Sequence, residues 1–163
     1  MTQIRMEDSF NDILDRIDVK ILRALQAEGR LTNAELANRV NVSPATCHRR
    51  TQRLFDEGYI TGVRAQVAPA SVGLGALVMV GVVLDRSTPE SFAAFEQAAT
   101  KLKDVLDCFL VAGDFDYLLK IRVRDMADFN KLHGEKLIAL PGVRQTRTFF
   151  VMKEVKDNGL LPF

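Results

Sequence analysis

The sequence predicts an α+β protein of two domains, the first helical and the second a mixture of strands and helices. Apolar residues recur at helical spacing three times within the first 57 residues, and residues that commonly cap helices stand beside each pattern. From residue 76 onwards, strand and helix patterns follow one another as βαββαβ, the order of the ferredoxin-like fold. With 163 residues and 47% hydrophobic content, the chain is long enough for two small domains and too apolar to be disordered.

Two helices are expected in the first 41 residues. The first spans Asp12 to Glu28, because its apolar residues fall on one face and Gly29 can serve as a C-cap. Thr32 precedes Glu35 by three residues, which is the spacing of a capping box, so a second and shorter helix begins there. Asn41 is expected to end this second helix.

A third helix and a hairpin complete a winged helix-turn-helix, an arrangement typical of DNA-binding domains. Ser43 is a natural N-cap, and Pro44 suits the first turn because its missing N–H is not needed there, so the helix runs from this point to Glu57. The next segment, Ile60 to Val67, places apolar residues among polar ones around Gly62, a pattern that favours a small hairpin. We interpret this hairpin as the wing.

Six elements are expected in the second domain, after a linker whose proline, serine and glycine content is typical of a turn. They are the strand Ala76–Leu84, the helix Pro89–Leu102, the strands Val105–Val111 and Tyr117–Val123, the helix Met126–Leu140 and the strand Val143–Val155. The predicted boundaries are therefore residues 1–67 for the winged helix-turn-helix, 68–75 for the linker and 76–163 for the ferredoxin-like domain. Both helices have an apolar face that would cover one side of the sheet.

The opposite side of the sheet would need a cover of its own. We place the branched apolar residues Val78, Val80 and Val82 on that side, and a second subunit is the simplest cover for them. The sequence therefore predicts an oligomer.

Composition and charge exclude several classes of protein. The longest apolar run, Leu74 to Leu84, is far shorter than the roughly 20 residues that span a bilayer, and residues 1–12 lack the apolar core of a secretory signal, so we expect a cytoplasmic protein. Cys47 and Cys108 lie in different predicted domains without a CxxC or His/Cys cluster, so neither a disulfide nor a metal site is expected. The net charge is only +1, but residues 39–64 carry five arginines against two acidic residues.

The third helix offers a candidate DNA-reading face. Thr46, Arg49, Arg50 and Arg53 have the spacing i, i+3, i+4 and i+7, so they share one side of the helix, while Cys47 and its apolar neighbours face the other two helices. Arginine forks suit phosphates and guanine edges in the major groove. The alternative is an ordinary solvated face, which the preceding short helix and the following hairpin make less favourable. The candidate DNA-binding residues are Ser43, Thr46, His48, Arg49, Arg50, Gln52 and Arg53.

Four segments of the chain carry a resemblance to a known family. They read LDRIDVKILRAL from Leu14, LTNAELANRVNVSPATCHRRTQRLFDEG from Leu31, VAGDFDYLLKIRVRDM from Val111 and LPGVRQTRTFFVMKEV from Leu140. Together they span nearly the whole chain in the order found in the leucine-responsive regulator and AsnC group, also called feast/famine regulators. The chain resembles most closely the global leucine-responsive branch of that group.

The resemblance implies a regulator that responds to an amino acid. In that family the amino-terminal domain binds double-stranded DNA, and the carboxy-terminal domain dimerises, assembles dimers into rings and holds a small amino acid such as leucine between dimers. We therefore expect a homodimer that assembles further, with the octamer as the expected form, and no cofactor. The effector residues that the resemblance implies are Leu110, Val111, Gly113, Asp114, Phe115, Asp116 and Tyr117, with Thr146 and Thr148 on the last strand.

The chemistry of the Gly113–Tyr117 turn agrees with such a site. Gly113 permits close approach of the backbone to a ligand, either Asp114 or Asp116 could accept a hydrogen bond from an ammonium group, and Leu110 could wall an apolar side chain. Without the resemblance, the same residues would be interpreted as a plain hairpin turn, in which aspartate is common.

Two other functions compete with this interpretation. An architectural protein that wraps DNA without a metabolite would share every DNA-binding feature. An enzyme is suggested by the siroheme decarboxylases, which are similar to this family, but His133 is the only histidine of the second domain and no nucleophile and base stand in evident partnership. We therefore expect no enzymatic activity.

Overall fold

Three helices form the first unit of the computed structural model, which describes residues 14–163. They are α1 (Arg16–Ala27), α2 (Asn33–Val40) and α3 (Pro44–Asp56), so the three predicted helices are confirmed, although Asp12 lies outside the described residues. Their apolar faces meet in one core, in which Ile21, Cys47 and Leu54 are fully buried. Cys47 packs there as a small apolar side chain.

Side-chain caps fix where each of these helices begins. The Asp15 side chain caps α1 by accepting hydrogen bonds from the Ile17 and Asp18 N–H groups. The Asp18 side chain in turn accepts a hydrogen bond from the Asp15 N–H, which completes a capping box. The box of Thr32 and Glu35 at α2 is present as predicted. Ser43 caps α3 by accepting a hydrogen bond from the Thr46 N–H at 3.2 Å. Such caps each contribute about 1 kcal/mol, because they satisfy N–H groups that have no partner within the helix.

The hairpin predicted over Ile60–Val67 is wrong, since residues 60–68 form no strand. The Ile60 N–H instead donates to the Leu54 carbonyl at 3.0 Å, and Val63 packs so close to Gly29 that a β-carbon there would lie 2.9 Å from it. Ile60 and Val63 therefore contact the helices, but residues 61–68 are exposed, Val63 and Val67 being 52% and 60% exposed, and the segment pairs with no strand.

A four-stranded antiparallel sheet forms the second unit, in the strand order β2-β3-β1-β4. The predicted βαββαβ order is confirmed, and a 3-10 turn at Pro69–Val72 precedes it. The elements are β1 (Ala76–Leu84), α4 (Pro89–Ala99), β2 (Val105–Leu110), β3 (Tyr117–Val123), α5 (Met126–Leu132) and β4 (Val143–Phe150). None of the helices within residues 14–163 is both long enough and apolar enough to cross a membrane.

Four of these elements are shorter than the sequence pattern predicted: α4 ends at Ala99 instead of Leu102, β2 ends at Leu110 instead of Val111, and α5 and β4 differ by more. The helix expected to reach Leu140 changes at Leu132 into a π-helical turn, His133–Leu137, where Gly134 weakens the regular helix. The last strand ends at Phe150 instead of Val155, because only Val151 beyond it still bonds to β1, donating to the Leu77 carbonyl at 3.0 Å.

The side of the sheet assigned to Val78, Val80 and Val82 must be corrected. All three are buried beneath the helices, in the same core as Phe95 and Leu137, and so they are not the surface that a second subunit would cover. Strand residues alternate in direction, so the opposite side carries their neighbours in β1 and the residues paired with those neighbours. This open face is formed by Leu77, Met79, Gly81 and Val83 of β1, Phe109 of β2, Leu118 and Lys120 of β3 and Gln145, Arg147 and Phe149 of β4.

The segment Lys156–Phe163 groups with the first unit, whereas the sequence-based boundaries placed it in the second domain. Gln26 of α1 holds it by two hydrogen bonds to the Leu161 backbone, at 3.0 and 3.1 Å. Arg23 donates to the Phe163 carbonyl oxygen and lies over the Phe163 ring. Polar side chains of the first helix therefore hold a segment about 135 residues later, and no periodic pattern signals such a pairing.

Candidate DNA-reading helix and effector loop

The outward face of α3 is formed by Ala45, His48, Arg49 and Gln52, all of which are exposed. The side chains occur at spacings of three and four residues and therefore form one stripe along the helix. Gln52 donates to Asp56 one turn further on at 2.9 Å, which orients its amide along the same stripe. Ser43 and Thr46 lie at the helix start, where the Ser43 hydroxyl also donates to the Thr46 hydroxyl at 2.9 Å.

Arg50 and Arg53 do not share this outward face, so the prediction that the three arginines project together is wrong for these two. Arg50 donates through Nη1 to Asp15 Oδ2 at 2.6 Å and to Asp18 Oδ1 at 2.9 Å. Arg53 donates through Nη2 to Asp18 Oδ2 at 2.5 Å. The acidic residues at the start of α1 therefore draw both guanidinium groups inward, and the exposed stripe is rotated from the predicted one.

Electrostatics agrees with this geometry. A hydrogen bond from the Asp18 N–H, together with those from Arg50 and the Ile17 N–H, holds the pKa of the Asp15 carboxyl below its usual value, against the smaller opposing effect of burial. Hydrogen bonds to the Asp15 and Asp18 carboxylates raise the pKa of Arg50. The charged forms of both partners are thus favoured in the folded chain.

The predicted effector turn is an exposed loop between β2 and β3. Its ends are joined by a bond from the Val111 N–H to the Asp116 carbonyl at 2.9 Å. Gly113 has φ of +148°, a conformation that other residues rarely adopt, and Asp114 beside it is exposed. Leu110 is exposed where β2 ends. The loop therefore presents an apolar side chain and a carboxylate near one another in sequence and in reach of solvent.

Asp116 and Tyr117, which the sequence also suggested as effector residues, are engaged within the protein. Asp116 Oδ2 accepts a hydrogen bond from the Leu84 N–H at 2.7 Å, which ties the loop to β1. The Tyr117 hydroxyl donates to Glu96 Oε1 at 2.7 Å, and its ring packs on Phe95 with 4.5 Å between centroids. Burial and the Glu96 carboxylate raise the pKa of Tyr117 well above its usual value.

Phe115 turns from the loop onto the open face of the sheet. Its ring covers Gly81 so closely that a β-carbon at that position would lie 2.6 Å from it. Phe149 packs edge-on against the ring with 6.1 Å between centroids, and the Arg147 guanidinium lies 5.9 Å from its centre. One side chain therefore belongs both to the loop and to the open face.

Thr146 and Thr148 lie on the helix-covered side of β4, opposite Val82 and Val80. Because Val82 also pairs with Tyr117, two strand spacings, about 10 Å, separate Thr146 from the start of β3. Thr146 Oγ1 shares a hydrogen bond of 2.8 Å with His133 Nε2. The structure thus gathers the loop residues in one place and the two threonines in another.

Three residues that shape these two regions were not proposed as site residues from the sequence. Asp15 and Asp18 have the i, i+3 spacing of a capping box, and that spacing could have identified them as a pair at a helix start. His133, considered above only in the enzyme alternative, is half-buried at the start of the π-helical turn and reaches the last strand. Within residues 14–163 no three metal-binding side chains gather into one group.

Comparison with known proteins assigns a family to both halves of the chain. A family model described as Winged helix-turn-helix DNA-binding matches residues 14–61, and one described as Lrp/AsnC ligand binding domain matches residues 77–161. The leucine-responsive regulatory protein of Escherichia coli K12 is 48% identical over 148 residues, which are 91% of this chain and 90% of that protein. The protein of the same name from Klebsiella pneumoniae gives the same identity and coverage.

Solved structures agree with this assignment. A transcriptional regulator from Neisseria meningitidis in complex with L-Met superposes with a TM-score of 0.86 at 38% identity, covering 91% of this chain and 96% of the other. AsnC of Escherichia coli gives a TM-score of 0.83 at 25% identity, with 92% and 99% covered. This chain therefore belongs to the Lrp/AsnC family: it is not an enzyme but a DNA-binding transcriptional regulator with an amino acid ligand-binding domain.

Proposed function

We propose that α3 enters the major groove and reads DNA with the side chains at its start and along its outward stripe. The exposed stripe is the observation that carries this proposal, because base edges and phosphates can be reached only by side chains that are free of the protein interior. Arg49 supplies the cation of the stripe, and Arg50 and Arg53 serve as counterions within the first unit. The proposed contacts are Ser43, Thr46, His48, Arg49 and Gln52.

Replacing Arg49 tests this assignment. Arg49→Ala should weaken DNA binding, and the plot of log Kobs against log salt should become shallower by about one unit, since about one phosphate contact or guanine fork is lost. Arg86→Ala, at an exposed position of the second unit, removes an equal charge and serves as the control. Equal affinity and slope in Arg49→Ala and the parent would contradict the assignment.

We also propose that the β2–β3 loop binds the effector, an amino acid with an apolar side chain such as leucine. Asp114 would accept hydrogen bonds from its ammonium group, Gly113 would allow close approach of the backbone, and Leu110 and Val111 would contact its side chain. The L-Met found with the Neisseria meningitidis relative supports this ligand class. The exposed loop is the observation that favours this place over the β4 threonines, whose side chains face the helices.

The effector assignment can be tested by thermal shift against the twenty amino acids. The parent should be stabilised by one or a few of them in proportion to RT ln(1 + [L]/Kd). Asp114→Asn should lose that response and retain DNA binding, whereas Glu90→Gln, an exposed charge change in α4, should keep both. A parent that responds to none of the twenty would instead favour an architectural DNA-wrapping protein.

The open face of the sheet supports a further proposal, that two copies of the chain associate through it. Phe109 on β2 and Phe149 on β4, the two edge strands, are 50% and 49% exposed on this face, and large exposed aromatic side chains on one surface are typical of an interface. Each such dimer would contain two copies of α3, as a DNA-binding protein with two half-sites requires, and could assemble further, an octamer being the form we propose. We also propose a cytoplasmic location, because a transcriptional regulator acts where its DNA target lies.

A further inference from the structure

Asp18 holds both arginines that turn away from the outward stripe of α3. It is 1% exposed, and among residues 14–163 it is the single acidic residue that is fully buried. Its two carboxylate oxygens are divided between the arginines, Oδ1 for Arg50 and Oδ2 for Arg53. A buried carboxylate is tolerated in a protein only when cations or hydrogen bonds compensate for its lost hydration, and here two guanidinium groups do so.

The network joins the first turn of α1 to the middle and end of α3. Arg50 and Arg53 are almost one turn apart on α3, so fixing both ends of this stretch fixes the rotation of the helix about its own axis. That rotation decides which side chains form the outward stripe. The carboxylate at Asp18 therefore controls how Arg49 and Gln52 are presented, although it lies on another helix.

We propose that Asp18 is a positioning residue for DNA recognition, which holds Arg50 and Arg53 as internal counterions and so keeps their charges away from the phosphate backbone. The proposal rests on α3 being the DNA-reading helix. It means that specificity depends on a carboxylate that itself never meets DNA.

Arg50 shows why the restraint is needed. Its Nε is buried and has no hydrogen-bond partner among residues 14–163, so the side chain is held inward by the two carboxylates rather than by a complete set of bonds. Removing the Asp18 carboxylate would leave Arg50 with Asp15 alone and Arg53 with the exposed Glu57 alone, so both guanidinium groups would be held less firmly beside a strongly anionic ligand. Phosphate contacts by a released arginine add the same affinity for every DNA sequence, and so they reduce discrimination between the target and other sequences.

The test compares Asp18→Asn with the parent on two duplexes, one selected by the parent from a random pool and one of random sequence. For Asp18→Asn, we expect the plot of log Kobs against log salt to steepen by about one to two units, since each newly contacted phosphate adds about 0.9 to its slope. The preference for the selected duplex should fall at least tenfold. Asp18→Glu, which keeps the charge, should stay close to the parent in both measurements, and Glu90→Gln controls for the change in net charge.

Asp15→Asn provides a second variant that should fold even if Asp18→Asn does not. Asparagine is as good an N-cap as aspartate, so α1 keeps its start, while Arg50 loses one of its two carboxylates. For Asp15→Asn, the plot of log Kobs against log salt should steepen by up to about one unit. A folded Asp15→Asn with the parental slope and preference would overturn the proposal, as would lower affinity for both duplexes without a steeper slope. A parental result for Arg49→Ala would instead contradict DNA reading by α3.

Discussion

Residues of one type have different roles in this chain according to the charges that neighbouring elements bring to them. Arg49 and Arg50 are consecutive, yet one is exposed on the outward stripe and the other is bound by Asp15 and Asp18. The sequence predicted that α3 carries the DNA-reading residues, because arginine content and helix position are local properties. It could not predict which arginines are free, since that depends on acidic residues more than 30 positions earlier.

Tyr117 gives a prediction at the residue scale. The pKa of its phenol is raised in the folded chain above the ordinary value of 10.0, so folding favours the neutral form. The resulting stability is complete below pH 10 and is lost as the pH rises above it, because only the unfolded chain then releases the proton readily.

In Tyr117→Phe, the ring remains but the hydrogen bond to Glu96 is lost, which should cost about 1 kcal/mol at neutral pH. The decline in the free energy of unfolding between pH 10 and 11.5 should become smaller, by up to about 1.4 kcal/mol per pH unit. Denaturant titrations at several pH values measure both effects. Tyr59→Phe, which removes the chain's other phenol, is the control; the same alkaline decline in Tyr117→Phe and the parent would contradict the assignment.

At the scale of elements, the sequence was most informative where a local signal fixes a boundary. Thr32 and Ser43 began their helices as predicted, because a cap needs only residues within one turn. The lack of a strand at residues 60–68 and the π-helical turn after Leu132 were not predicted. Both segments make contacts outside the local pattern, between Val63 and Gly29 and between His133 and Thr146.

The packing of the Phe115 ring on Gly81 gives a prediction at the scale of elements. Gly81→Ala would place a β-carbon 2.6 Å from the ring, so the ring must move, and we expect a loss of about 1 to 3 kcal/mol. In the Phe115→Ala background the same change should cost much less, because nothing remains to be displaced. Gly62→Ala, with no atom within 4 Å of the new methyl group, should be nearly neutral. Additive effects in this double-mutant cycle, measured by denaturant unfolding, would contradict the contact.

For the whole molecule, the order of elements sufficed to predict both domain folds. The strand order β2-β3-β1-β4 follows once βαββαβ is recognised and both connections over the sheet are helical. The side of the sheet that faces outward was predicted wrongly, because β1 is apolar on both sides and its pattern alone cannot distinguish them. Pairing with Gln145 and Arg147 of β4 is what identifies the open face.

Association through that face gives a prediction for the whole molecule. Phe149→Glu places a charge on the open face without entering the core, so each subunit should still fold while the dimer dissociates. Sedimentation velocity should show the smallest species at concentrations where the parent is oligomeric. Ile138→Glu, equally exposed but in the helical layer, should sediment like the parent. An unchanged assembly in Phe149→Glu would exclude this face as the dimer interface.

The position of Phe115 links two equilibria, the association of subunits and the binding of the amino acid. Its ring rests on the surface proposed to join subunits, while its backbone lies in the segment proposed to hold the amino acid. If bound ligand strengthens pairing of the chains by some factor, thermodynamic linkage requires pairing to tighten ligand binding by the same factor. Titrations at several protein concentrations should therefore yield different apparent affinities for the metabolite, and protein abundance in the cell would help set the nutrient level to which the regulator responds.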